Sequence, residues 1–171
     1  EDYGPGSVPW VIRPIELLRQ GVFMLPDNGR GVINHVHVEN LIDGVLLAIQ
    51  HDACGEAFTI TDGLATPSRV FFKTHALIAG TRLPTAPTWV LKALLSALGP
   101  AYRVLGKKPP ASPEAMKFLL RKNRYSIAKA QRLLGYAPRI RLSEGMADLL
   151  ADTTLNPHKN QKIPKPNRKG Y

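Results

Sequence analysis

The chain has 171 residues, 44% of them hydrophobic, which is enough for one ordinary core and short for two. Its net charge of +10 suggests an anionic partner, but Lys159, Lys162, Lys165, Arg168 and Lys169 supply five of those charges from an end with no Asp or Glu after Asp152, and no aromatic interleaving accompanies them, so a nucleic-acid interface is not expected. The most apolar stretch, residues 88–98, is interrupted by Lys92 and Ser96 and falls far below the roughly 20 residues of a membrane span, and the lone Cys54 excludes an internal disulfide; no stable membrane insertion and a reducing, cytoplasmic setting are the expectations.

In chain order, residues 8–20 read as a short amphipathic helix carrying Trp10, Ile12, Ile15, Leu17 and Leu18, ended by Gly21. Residues 22–25 read as a short strand closed by the turn Pro26-Asp27-Asn28-Gly29. Residues 32–38 alternate as a half-buried strand does, and Asn40 stands where a helix cap would serve residues 41–50. Residues 57–61 form a β-branched and aromatic strand turned by Asp62-Gly63. Thr66-Pro67 then opens a helix with Val70, Phe71, Thr74, Leu77 and Ile78 on one face before Gly80.

From Leu83 the chain becomes a proline-punctuated connection into a largely apolar helix over 89–98, with Gly99-Pro100 as its stop. Ser112 and Pro113 open another helix with Met116, Leu119 and Leu120 inward. Two more follow, over 126–134 with Gly135 behind it and over 143–150. Strands alternating with helices first and helices alone afterwards predict an α/β fold, in which one or two strands of a parallel sheet carry a helix-rich cap. Residues 1–152 are expected to fold and 153–171 to form a basic, solvated tail.

Few residues advertise chemistry. His35 and His37 share a strand face, without further ligands at metal spacing, and read as packing and helix-start hydrogen-bonding residues. Asp43 and Asp62 have no partner at acid/base spacing. Lys129 reads as a solvated helix residue.

The order of Tyr3-Gly4-Pro5-Gly6, His37-Val38-Glu39-Asn40-Leu41, Phe58-Thr59-Ile60-Thr61-Asp62-Gly63, then Tyr125-Ser126-Ile127-Ala128-Lys129-Ala130 and Leu134-Gly135-Tyr136-Ala137-Pro138 resembles the extended short-chain dehydrogenase/reductase superfamily. The resemblance implies a Rossmann-type parent with a dinucleotide-binding half followed by a substrate-binding half, of which residues 3–150 match the second. It implies NAD or NADP in the full-length parent, with none expected to bind this chain alone, because no Gly-rich phosphate loop occurs and the catalytic Tyr/Lys pair is expected to precede these residues. Tyr3 is not taken for the catalytic Tyr, since Ser7 rather than Lys stands four positions on.

By the same resemblance, Tyr3, Gly4 and Pro5 sit nearest the cofactor, and Trp89, Arg121 and Arg124 are the candidates for a small-molecule substrate. Nucleotide-sugar members place an Arg four residues before the His of the motif, where this chain has Ile33. The Glu39-Asn40-Leu41 form resembles the 3β-hydroxysteroid dehydrogenase branch and implies a hydrophobic alcohol or ketone as substrate. A nucleotide-sugar epimerase or dehydratase, or a non-catalytic binding module, are the alternatives. A fold cut in this way is expected to self-associate or to keep its missing N-terminal Rossmann half as a partner.

Overall fold

A computed structural model describes residues 1–104, 113–152 and 154–155. The expected tail, apart from Thr154 and Leu155, and the expected Ser112 cap lie outside these residues. Among the described residues two short ladders make the sheet structure. Strand β1 (Asp2–Tyr3) pairs in parallel with β3 (Val36–His37), with Tyr3 opposite His37, and β2 (Val32–Ile33) pairs antiparallel with β4 (Thr66–Pro67), with Ile33 opposite Thr66. The single strand expected over 32–38 is therefore two, serving different partners on either side of Asn34 and His35.

The helices pack around these ladders. A wide turn at Val8–Ile12 runs into α1 (Arg13–Arg19), and α2 (Val38–Gln50) follows β3 directly. Next come α3 (Ser68–Phe71) and α4 (Lys73–Ala79), then α5 (Thr88–Val104), α6 (Pro113–Leu119), α7 (Ala128–Leu134) and α8 (Leu142–Ala151). Helix α4 ends at Gly80 and α7 at Gly135, both in the left-handed conformation that glycine adopts without steric cost.

Several expectations are corrected. Residues 22–25 are not a strand: only Leu25 bridges Thr85, because its neighbour Pro84 offers a carbonyl but no N–H to extend a ladder. Residues 57–61 run without a ladder of their own. Thr66 belongs to β4 and does not cap a helix. The helix after it is broken at Phe72, which turns Phe71, Phe72, His75, Ala76 and Ile78 inward and leaves Val70 and Leu77 exposed. Asn40 is not a cap either: α2 starts two residues earlier, and the His37 ring accepts the Glu39 N–H at 3.3 Å. Helix α5 continues through Gly99-Pro100 to Val104, since a proline removes one helical hydrogen bond without obliging the helix to end.

The first core gathers Tyr3, Ile15, Leu25, Ile33, Phe71 and Leu149 from both ladders and from α1, α3 and α8. A second joins Ile127, Ala130, Leu134 and Tyr136 to Phe58 and Ile60. Gly44 lets α2 close on the 57–61 stretch, because a Cβ there would meet Ile60 at 3.0 Å. A third, smaller cluster of Ala86, Leu91 and Met116 seats α5 on α6.

Candidate functional site

The β1–β3 and β2–β4 ladders converge on a buried polar network. The Asp62 carboxylate, with its side chain 2% exposed, lies 2.7 Å from His35 Nδ1 through one oxygen. Its other oxygen accepts from the His37 backbone N–H at 3.0 Å and from Asn40 Nδ2 at 2.7 Å. Burial pushes the Asp62 carboxyl up, but the hydrogen bonds from His35, Asn40 and the His37 backbone outweigh it and hold its pKa below the usual carboxylate range. An ionised carboxylate can only accept, so the His35 Nδ1–H donates to it, and Nε2 pairs with the Thr66 hydroxyl at 2.8 Å. Asn40 extends the network: its Oδ1 accepts the backbone N–H groups of Arg139 and Ile140, both at 3.0 Å, and its Nδ2 also donates to the Ile140 carbonyl at 2.8 Å.

Hydroxyl, imidazole and carboxylate in the order Thr66, His35, Asp62 match the arrangement of a nucleophilic triad. Thr66 and His35 are both buried, and neither lines the depression at Asp2 to Ser7 or the one beside Val45 and Cys54. The network therefore ties the strand ends to α2 and the 139–140 loop. Nothing in the spacing of His35 and Asp62, 27 residues apart, announces the pair.

The opening toward solvent lies beside this network. Asp2 to Ser7 and Val38 line a depression of about 200 Å³ at the start of α2. Gly4 at φ 148° has no room for a side chain, since a Cβ would stand 2.8 Å from Val38 Cγ1. Tyr3, Gly4 and Pro5 thus all border this depression, Tyr3 and Gly4 buried and Pro5 exposed. The Tyr3 ring meets His35 and His37 edge-on at 5.5 and 5.2 Å, and its hydroxyl and His37 Nε2 are buried with no hydrogen-bond partner among the described residues. Burial first, and the Asp62 charge second, push the Tyr3 phenol well above its ordinary pKa, so it stays protonated.

Trp89, Arg121 and Arg124 line neither that depression nor the second cavity, which is formed by Val45 to Cys54. Trp89 is 73% exposed on α5. Arg121 and Arg124 are exposed on a segment clamped along β2, where the Val32 N–H donates to the Arg121 carbonyl at 2.7 Å. Asn34 reinforces the clamp by donating to the Asn123 carbonyl at 2.9 Å and accepting the Tyr125 N–H at 3.0 Å. The Arg121 guanidinium rests 4.5 Å from the centre of the Phe118 ring.

Against the expectation that the chain holds no Tyr-xxx-Lys pair, one such spacing, Tyr125 to Lys129, does occur. The two do not act together: Tyr125 precedes α7, while the Lys129 ammonium is held by Glu56 at 2.6 Å and by the Ala57 carbonyl at 2.9 Å. Asp43 likewise has a partner that spacing hides, the Arg139 guanidinium. No group of three or more His, Cys, Asp or Glu among the described residues could hold a metal ion, and none of the described helices is long and apolar enough to cross a membrane.

No family model matches the chain. It is 31% identical over 126 residues to a 3-beta-hydroxysteroid dehydrogenase of Mycolicibacterium neoaurum, covering 69% of this chain and 34% of that protein. It is 29% identical over 164 residues to the decarboxylating sterol-4-alpha-carboxylate 3-dehydrogenase of Saccharomyces cerevisiae, covering 87% and 46%. The chain spans between a third and half of the length of these curated relatives. Among solved structures, WbmF of Bordetella bronchiseptica in complex with NADH superposes with a TM-score of 0.58 at 18% identity, covering 91% of this chain and 44% of that one. The dTDP-glucose 4,6-dehydratase DesIV of Streptomyces venezuelae, with NAD and TYD bound, superposes with a TM-score of 0.56 at 19% identity, covering 91% and 42%. The chain is thus similar in fold to part of the Rossmann-type epimerase/dehydratase structures and similar in sequence to part of the 3β-hydroxysteroid and sterol dehydrogenases of the short-chain dehydrogenase/reductase kind.

Proposed function

We propose that residues 1–152 are the C-terminal, substrate-binding part of an NAD(P)-dependent oxidoreductase acting on a hydroxyl or keto group of a hydrophobic, sterol-like substrate, with 153–171 as a basic tail. The observation that carries the hydrophobic reading is Ile33. It is fully buried in the first core, where the position that holds a diphosphate-gripping Arg in nucleotide-sugar members is here sealed among aliphatic and aromatic side chains. The names of the M. neoaurum and S. cerevisiae relatives point the same way.

The fit to a cofactor is partial. A depression of about 200 Å³ is below the roughly 300–1,000 Å³ of a small-molecule site. It suits one end of a dinucleotide, with Tyr3, Gly4 and Pro5 alongside, and the nicotinamide would supply hydride transfer there. Gly4, with no Cβ, lets this turn close on Val38 at the start of α2, and Trp89, Arg121 and Arg124 are assigned to the substrate. The dinucleotide-binding half belongs to residues other than these. Its docking face is marked by Ile42, Val45, Leu46 and Ile49, an exposed apolar stripe at helical spacing on α2, beside the 57–61 stretch that lacks a ladder. In isolation the same face would drive self-association.

Turnover by the protein joined to its dinucleotide-binding half tests this reading. Reduction of NAD(P)+ is expected with a 3β-hydroxysterol and not with a UDP- or dTDP-sugar. Turnover confined to the sugar nucleotides would move the chain to the epimerase/dehydratase alternative.

A further inference from the structure

His75 is fully buried and takes no part in the site described above. Its two ring nitrogens both face backbone carbonyls: Nε2 stands 2.8 Å from the Trp10 oxygen and Nδ1 stands 3.2 Å from the Phe71 oxygen. A carbonyl can only accept, and a neutral imidazole carries one N–H. The neutral ring therefore makes one of these bonds and turns a lone pair on the other oxygen, and only the imidazolium satisfies both.

The imidazolium has no counter-ion there. The Phe71 and Phe72 rings stand 5.4 and 5.1 Å from the imidazole, and the Val8–Ile12 turn carries no charged side chain. Arg13, Glu16 and Arg19 on α1, Arg69 on α3, Lys73 on α4, and Glu144 and Asp148 on α8 are all exposed, and none of them acts on the ring. The buried titratable groups of this core, His35 and Tyr3, meet the Phe71 ring at 5.7 and 5.6 Å, with Asp62 hydrogen-bonded to His35. Burial pushes the His75 imidazole below its ordinary pKa, against the pull of the two carbonyls.

The contact joins parts of the chain 65 residues apart. On one side, the Val8–Ile12 turn follows directly on the wall of the Asp2–Ser7 depression, and the Ser7 carbonyl accepts the Val11 and Ile12 N–H groups, both at 3.0 Å. The same turn carries Trp10, whose ring lies 5.0 Å from that of Phe118. On the other side, α4 packs along α1.

We propose that His75 is a proton-sensitive latch: uncharged, it fastens the Val8–Ile12 turn to α4, and protonated, it leaves its seat and releases that turn together with the wall of the Asp2–Ser7 depression. The latch is independent of the oxidoreductase reading. Because the seated ring has the lower pKa, the released state binds the proton more tightly. The latch is therefore closed above the ordinary imidazole value of about 6.5, and its closed-to-open ratio falls by up to about tenfold per pH unit below that, until the pH reaches the seated value.

The test uses the full chain with Trp89→Phe, an exposed position, so that Trp10 is the one indole. Trp10 emission, the His75 ring resonances and helical circular dichroism are followed from about pH 7.5 to about pH 4.5. A one-proton step at His75 below about pH 6.5 is expected, with a coincident red shift of Trp10 emission and unchanged helical signal. His75→Gln keeps an amide N–H for the Trp10 carbonyl and takes up no proton, so it should hold Trp10 at its neutral-pH emission throughout. A red shift that persists in His75→Gln would overturn the proposal, as would a red shift accompanied by loss of helix, which is global unfolding. The parent chain decides the matter even where the variant fails to fold: His75 protonated with Trp10 unmoved, or Trp10 unmoved across the whole range, would also overturn it.

Discussion

Replacing Asp62 with alanine is expected to lower the unfolding free energy by about 3–5 kcal/mol, the usual loss when one partner of a buried charged network is removed. The substitution strips the acceptor from His35 Nδ1, from the His37 N–H and from one Asn40 donor at once, and all three are buried. The loss should exceed that from Lys129→Ala, whose ion pair with Glu56 is exposed on both sides and contributes little. Denaturant unfolding of the two variants makes the comparison.

The same carboxylate sets an acid limit. Its folded pKa is depressed, so its contribution is complete above the unfolded value of about 3.9 and is lost as pH falls through the folded one. The melting temperature of the wild-type chain should therefore fall below about pH 4 with a component that Asp62→Asn lacks. Parallel curves for the two proteins would remove Asp62 from this role.

Gly31→Ala is the second large effect. A Cβ at Gly31 would collide with the Leu119 carbonyl oxygen and stand 2.8 Å from its carbon, so the backbone after α6 would have to move away. That movement breaks the bond from the Val32 N–H to the Arg121 carbonyl and pulls at the Asn34 clamp two residues on. A loss of about 3 kcal/mol is expected from the overpacking alone. Limited proteolysis should show the α5–α6 part released before the rest. A variant as stable and as protease-resistant as the parent would mean that the 119–125 segment is not fixed on β2.

Much of the fold is legible in local pattern. Helices α1, α4, α7 and α8 follow from apolar spacing, and α1, α4 and α7 also from glycines placed behind their ends. Features that depend on partners are not legible. Val22 to Leu25 have strand composition but face Pro84, and Thr66 has the look of a cap but is engaged by an imidazole 31 residues away. Asn40 illustrates the limit most clearly: its side chain is spent on Asp62 and the 139–140 backbone, about 100 residues downstream, a role that sequence spacing cannot encode. The site shows the same division. The glycine turn at Gly4 to Gly6 is visible as a motif, whereas the His35–Asp62 pair behind it arises only when two ladders meet.

The central claim is that these residues form the substrate side of a two-part oxidoreductase and leave the nucleotide to the other part. Equilibrium titration with NADH and NADPH, followed by cofactor fluorescence, tests it most directly. The protein joined to its dinucleotide-binding half should bind one of the two, and the 171-residue chain alone should bind neither. Saturable binding of either dinucleotide by the chain alone would contradict the account.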